Sequence, residues 1–362
     1  MVREAASKIG GIEPGAFGER IMELADRLAA WSENSDGLTC TYLSPAHRSV
    51  AADIRELMRQ AGLVTEMDAV ANVIGRYAAG EKAPRALIVA SHYDTVRNAG
   101  KYDGRLGVLT ALVLAEHLNR LGRKLPFHLD VVAFSEEEGV RFSSSFLGSS
   151  AVAGRFDPTL LGRRDADGVT LAAAMREAGL DPAKIPVLAR RREELVGYLE
   201  VHIEQGPVLL EEGLPVGIVS AIAGSVRSMV TITGTAGHAG TVPMARRHDA
   251  VAAAAELVLY VEKRCAQAPT LVGTVGQLVV PNGAINIIPG RCELSLDVRA
   301  ADDATRDAAV SDIMAEIARI AARRGVRIDT QEVQRTAAVR CSPRLQSLLA
   351  DAVKDAGVKP RH

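Results

Sequence analysis

The stretch from Ala86 to Gly107, ALIVASHYDTVRNAGKYDGRLG, constrains this chain more than any other. Its first residues, Ala86 to Ala90, form a short continuous apolar run with a β-branched pair, the pattern of a buried strand. The run ends in Ser91-His92-Tyr93-Asp94, passes through a glycine-containing loop to Tyr102-Asp103-Gly104, and enters an apolar-periodic segment from Leu106 to Leu121 that predicts a helix. His92, Asp94 and Asp103 therefore fall where a strand hands over to a helix. In open α/β sheets that is where ligands bind. Histidine and aspartate are also the donors that a borderline divalent metal takes. Asp94 is close enough to His92 to receive the second ring nitrogen and fix its tautomer. The plain alternative is a polar loop that only caps the helix.

At 362 residues the chain is long enough for two domains. A formal net charge of -1 gives no support for a nucleic-acid or anionic-membrane partner. No apolar run reaches the roughly 20 residues of a membrane span. The opening MVREAASKIGG lacks the apolar core of a secretory signal. Cys40, Cys265, Cys292 and Cys341 have neither metal nor disulfide spacing, which fits thiols in a reducing cytoplasm.

Periodicity predicts helices over 14–31 and 44–60, with Ser44 as N-cap of the second. Strands follow at 72–76, 86–90, 127–134 and 196–203, and 149–191 reads as a mostly helical elaboration. Strands alternating with helices predict an α/β fold with a mostly parallel sheet covered on both faces. After Gly213 the order changes: strand 226–234, helix 248–264, strands 271–280 and 291–300, helix 304–323 and strand 326–333. This is the β-α-β-β-α-β order of a ferredoxin-like unit. A last helix starts at Ser342-Pro343 and runs to Ala356. The expected division is a domain over 1–213 and 332–362 that carries the candidate metal ligands, with an inserted domain over 214–331.

Three strand ends carry metal-type donors: His92 with Asp103, the run Glu136-Glu137-Glu138, and His202. Adjacent carboxylates repel and raise one another's pKa. A cation relieves this for one and leaves the other free to act as a base. A solvated acidic turn is the simple alternative for the run. His238 lies among small residues in GTAGHAGT, where it could donate to an oxyanion or merely bond backbone. Arg299 could clamp a carboxylate or pair with Asp297. Asn286 could meet substrate or make a turn.

Longer strings narrow the reading. SHYDTVRNAGKYDGRLGVL, EEEGVRF, HIEQGPVLLEEG, GTAGHAGTVPMARRHDA and NIIPGRCELSLDVR resemble the dinuclear zinc exopeptidase and aminoacylase superfamily. Within it they are closest to the branch of N-carbamoyl-L-amino-acid hydrolases, β-ureidopropionases and allantoate amidohydrolases. The likeness runs from Leu43 to Arg299. It implies two divalent ions, zinc or manganese, bridged by Asp103, with His92, Glu138 and His202 as ligands. It further implies Glu137 as general base and Asp94 as the residue that orients His92. His238, Asn286, Arg299 and, more weakly, Gln205 are expected to meet the substrate, the first two reaching in from the partner of a homodimer, and the resemblance makes 214–331 the lid and dimerisation domain. The implied activity is hydrolysis of a ureido C–N bond on a small carboxylate, allantoate first, releasing ammonia and carbon dioxide. N-carbamoyl-L-amino acids come next, then β-ureidopropionate. His202 disfavours a dipeptidase, because peptidases of the superfamily place a carboxylate there. Family members continue past Arg361-His362 to a Gly-His-Asp segment and a last ligand histidine that this sequence lacks. A truncated chain with an incomplete second metal site is therefore expected, and a non-catalytic binding fragment is the rival reading.

Overall fold

The computed structural model describes residues 16–80 and 85–362. The opening MVREAASKIGG and the expected helix start at Pro14 lie outside the described residues. Contacts divide the chain into two compact units, one ending at Pro207 and one beginning at Val208.

In the first unit, α1 (Ala16–Ala29) buries Leu24, Ala25 and Leu28. Helix α2 (Pro45–Gln60) starts as expected: the Ser44 side chain accepts from the His47 N–H and Pro45 fills the first turn. Its buried face is Val50, Ile54, Leu57 and Met58. The sheet holds β1 (Val64–Met67), β2 (Val73–Tyr77), β3 (Ala86–His92), β4 (His128–Phe134) and β5 (Leu195–Leu199), in the order β1-β2-β4-β3-β5. Strands β4, β3 and β5 run parallel, whereas β1 and β2 join antiparallel. The expected mostly parallel sheet is thus a mixed one, parallel in its ligand-bearing half. Helix α3 (Arg105–Arg120) follows β3. Residues of α1, α2 and α3 pack with Val89 and Val131 on one sheet face, while Ile88, Ala90, Val132 and Phe134 fill a cluster on the other. Alternation along a strand buried on both sides produces this division.

One expectation is corrected here. Strand 196–203 ends at Leu199, so His202 stands on irregular chain beyond it. The chain leaves the ladder where the Val201 carbonyl packs onto α3 at Gly107, a position where a Cβ would sit 2.1 Å from that oxygen. The segment 149–191 is mostly helical, as expected, but in short pieces. It forms short helices at Leu147–Val152 and Leu171–Glu177 and 3-10 turns at Pro158–Gly162 and Pro182–Leu188. Asp157, Thr170 and Asp181 cap three of these, and each restarts the chain before a long helix can form.

The second unit contains β6 (Gly224–Thr233), α4 (Ala250–Cys265), β7 (Leu271–Thr274), β8 (Leu278–Val279), β9 (Arg291–Ala300), α5 (Asp303–Arg324), β10 (Arg327–Thr336) and α6 (Pro343–Asp355). Strand β6 lies between β9 and β10, and β9 also pairs with β7 and β8, all antiparallel. The order β8-β9-β6-β10, with two helices, is that of the β-α-β-β-α-β pattern read from the sequence. The expected strand 271–280 is broken. Thr274 faces Asp297 and Leu278 faces Leu294, so four steps on one strand oppose three on the other, a bulge of one residue. Cys292, Leu294, Leu296 and Val298 of β9 alternate inward against Leu257 and Val261 of α4 and Ile313, Ile317 and Ile320 of α5. All four cysteines are free.

Candidate metal centre

The parallel strands bring the donors of the first unit to one place. His92 ends β3, Glu137 and Glu138 follow β4, and His202 follows β5. Asp103 immediately precedes Gly104, which caps α3 at a φ of 63°. That glycine is required, because a Cβ there would lie 2.4 Å from the His92 ring. His92, Asp103 and His202 form one group whose donor atoms all lie within 4.8 Å of one another. His92, Glu137 and Glu138 form a second. The Asp103 carboxylate is shared: its Oδ1 is 3.5 Å from His92 Nε2 and 3.1 Å from His202 Nε2. His92 Nε2 is also 3.9 Å from Glu137 Oε2.

Both imidazoles are held by their other nitrogen. His92 Nδ1 is 3.1 Å from the Asp94 carbonyl, and His202 Nδ1 is 2.9 Å from the Ile203 carbonyl. A carbonyl only accepts, so Nδ1 carries the proton in each and Nε2 is left to face the cluster. This is the tautomer a metal ligand needs. Asp94 thus touches His92 through its backbone. Its carboxylate, 3.8 Å from Nδ1, is engaged elsewhere, accepting from the backbone N–H of Glu137 at 3.0 Å and of Glu138 at 3.1 Å.

Without a cation the cluster is held by protons. Burial works to lower the His92 imidazole, but the hydrogen bond to Asp103 and the charges of Asp94 and Glu137 outweigh it and raise its pKa to about 9. The same hydrogen bond from His92 holds Asp103 below the usual carboxylate range. Burial raises Glu137 to about 7; the His92 charge opposes this, and the Asp94 and Glu138 carboxylates add to it. Burial also raises Glu138. Two imidazole Nε2 atoms, once His92 gives up its proton, and three carboxylates in so small a volume fit one or two divalent cations.

The three adjacent glutamates take three different places. Glu136 is fully buried, with a φ of 47°. Among the described residues neither of its carboxyl oxygens has a hydrogen-bond partner, and burial holds the group well above the usual range. Glu137 and Glu138 face the donors. Gln205 donates from Nε2 to Asp103 Oδ2 at 2.6 Å, so its amide supports the shared carboxylate. One residue that sequence reasoning missed is Glu200, whose carboxylate accepts from Ser91 Oγ at 2.7 Å and from the Tyr198 hydroxyl at 2.6 Å. Nothing in a single glutamate after a strand signals that role.

Within the second unit, Gly237–His238 pairs with Ile287–Ile288, and the Ala239 N–H donates to the Asn286 carbonyl, so His238 and Asn286 are neighbours. His238 Nδ1 accepts from the Gly240 N–H at 3.0 Å, which leaves Nε2 as a donor. Arg299 is in an ion pair with Asp297 at 2.8 Å, the alternative that the sequence left open.

The pattern of the peptidase family M20/M25/M40 matches residues 88–362. The chain belongs to this family. It is 41% identical over 342 residues to an N-carbamoyl-L-amino acid amidohydrolase of Geobacillus stearothermophilus, covering 94% of this chain and 83% of the relative. It is 38% identical over 348 residues to allantoate deiminase 1 of Glycine max, covering 90% and 72%. Among solved structures it is similar to a hydantoinase/carbamoylase family amidase from Burkholderia ambifaria, with a TM-score of 0.84 and 32% identity over 95% of this chain and 84% of that one. Among the described residues no helix is long and apolar enough to cross a membrane.

Proposed function

We propose that the chain is a metal-dependent amidohydrolase that cleaves a ureido C–N bond on a small carboxylate. The observation that carries the reading is the convergence of His92, Asp103, Glu137, Glu138 and His202. His92, Asp103, Glu138 and His202 would hold two divalent ions, zinc or manganese, with Asp103 shared between them. When bound, the ions neutralise the carboxylates and polarise the ureido oxygen as Lewis acids.

Glu137 is the group left to move a proton. Its carboxylate stands beside the His92 and Glu138 donors, placed to take a proton from the attacking water and return it to the leaving nitrogen. In balance, R–NH–CO–NH2 and water give R–NH2, ammonia and carbon dioxide. His238, with Nε2 as donor, is assigned to the developing oxyanion, and Asn286 beside it to the substrate, both reaching in from the partner copy of a homodimer. Arg299 would exchange Asp297 for the substrate carboxylate, a bidentate partner of the same kind. Gln205 supports the reading through Asp103.

Allantoate is the proposed substrate. An N-carbamoyl-L-amino acid is the second reading, favoured by the 41% identity to an amidohydrolase named for such compounds. Residues 214–331 are assigned to a lid through which two copies pair. The exposed Leu278, Val279 and Ile285 support that part. A cytoplasmic location belongs to the same proposal. The test is ammonia release from allantoate and from an N-carbamoyl-L-amino acid, side by side with amino-acid release from a dipeptide, in the presence of zinc or manganese. Release from a ureido compound alone is expected; cleavage of the dipeptide alone would overturn the reading.

A further inference from the structure

Glu137 and Glu138 stand on a loop with no regular structure, so something must fix its backbone. The loop's carbonyls are received by the start of the next helix: the N–H groups of Phe146, Leu147 and Gly148 donate to the carbonyls of Glu137, Glu136 and Ser135, each at 3.0 Å. Asp94 takes the N–H groups of Glu137 and Glu138. The remaining joint is made by Asn72, a fully buried residue at the entry to β2. Its Oδ1 accepts from the Ser135 N–H at 3.0 Å, and its Nδ2 donates to the Gly148 carbonyl at 3.1 Å and to Asp68 Oδ2 at 2.7 Å. The Ser135 N–H can only donate and the Gly148 carbonyl can only accept, so the amide has one workable orientation. The Ser135 hydroxyl is tied to the Val70 carbonyl beside it. The joint leaves no space: a Cβ on Gly148 would lie 2.2 Å from Asn72 Oδ1 and 2.6 Å from the Ser135 carbonyl.

We propose that Asn72 is a positioning residue of the metal centre, its side-chain amide fixing Ser135 against Gly148 and so setting where the Glu137 and Glu138 carboxylates stand. Only an amide offers both polarities in that volume. Aspartate has the same shape, but it cannot donate to Gly148 and turns an oxygen toward Asp68. Alanine leaves the Ser135 N–H and the Gly148 carbonyl unpaired in the interior. Either change frees the loop that carries one ligand and the base. The inference rests on the reading of that loop as part of a metal site.

The experiment compares Asn72→Asp, Asn72→Ala and Gly148→Ala with Ile54→Val, a core change in α2 that touches none of these groups. Zinc affinity by chelator competition, kcat and KM for the ureido substrate, and Tm are measured on each. Loss of a group that orients a ligand costs about 10–100-fold in metal affinity. The folded Asn72 and Gly148 variants are expected to lose that much, and to lose kcat at saturating zinc while KM holds. Ile54→Val lowers Tm with zinc affinity and kcat unchanged. Unchanged zinc affinity in the folded variants, or an equal loss in Ile54→Val, overturns the inference. If the chain binds zinc but releases no ammonia from any ureido compound, the proposed function fails and the affinity series still decides the role of Asn72. If it releases ammonia and the affinity series is flat, the function stands and Asn72 is only structural.

Discussion

His47 offers a test of the first unit's interior that does not involve the metal site. It sits on the buried face of α2, fully enclosed, with its ring 4.4 Å from the Tyr93 ring centroid and 5.3 Å from that of Tyr42. Among the described residues neither ring nitrogen has a hydrogen-bond partner. Burial lowers its pKa from 6.5 to about 3, and the charges of Arg105, Arg48 and Arg141 push the same way. Between those two pH values the unfolded chain binds a proton that the folded chain refuses. Stability contributed by the neutral ring is therefore complete above pH 6.5 and declines as pH falls toward 3. At pH 4.5 the gap from the unfolded pKa is about 2 units, which is a loss of about 3 kcal/mol relative to neutral pH. His47→Phe keeps an aromatic ring and removes the proton site. Any overpacking it causes is a constant offset, independent of pH. Trp31, the single tryptophan, lies in the first unit, so its fluorescence in urea follows the unfolding of that unit. The wild-type chain is expected to lose about 3 kcal/mol more than His47→Phe between pH 7 and 4.5. Equal losses in the two chains would refute the reasoning, because every other titrating group is common to both.

Further expectations concern the metal centre. His92, raised to about 9 when metal-free, is protonated at neutral pH and must give up that proton to bind a cation. Zinc uptake at pH 7 should therefore release about one proton, and affinity should rise about tenfold per pH unit below 9; calorimetry in buffers of different ionisation enthalpy checks both. Gly107→Ala places a Cβ against the Val201 carbonyl, next to His202. It should cost about 1–3 kcal/mol in urea unfolding and weaken zinc binding in a chelator assay. Asp94→Asn sets an amide NH2 against a backbone N–H of the glutamate loop, and zinc affinity should fall about 10–100-fold.

The candidate donors that converge in the first unit could be picked out in the sequence because they sit where apolar runs stop. His92 closes β3, and the glutamates follow β4. The β9 strand at Arg291–Ala300 was likewise legible, since five of its residues alternate inward. Other features left no such trace. Strand β1 is four residues long and almost wholly exposed, so it has no apolar pattern to announce it. Glu136, Glu137 and Glu138 are identical letters, and only the fold separates the buried one from the two at the cluster. Asn72 meets Ser135 across 63 residues of sequence, a contact that no local pattern encodes. The end of β5 depended on a missing Cβ at Gly107, again a property of packing and not of the strand itself.

The central claim is that the converging donors form a working hydrolytic metal centre with Glu137 as its base. The most direct measurement is ammonia release from a ureido substrate together with bound metal per chain, on the wild-type chain and on Glu137→Ala. The account predicts turnover with metal in the wild-type chain, and in Glu137→Ala the same metal content with turnover lost. Turnover that survives Glu137→Ala, or a wild-type chain that binds metal and releases no ammonia, would contradict it.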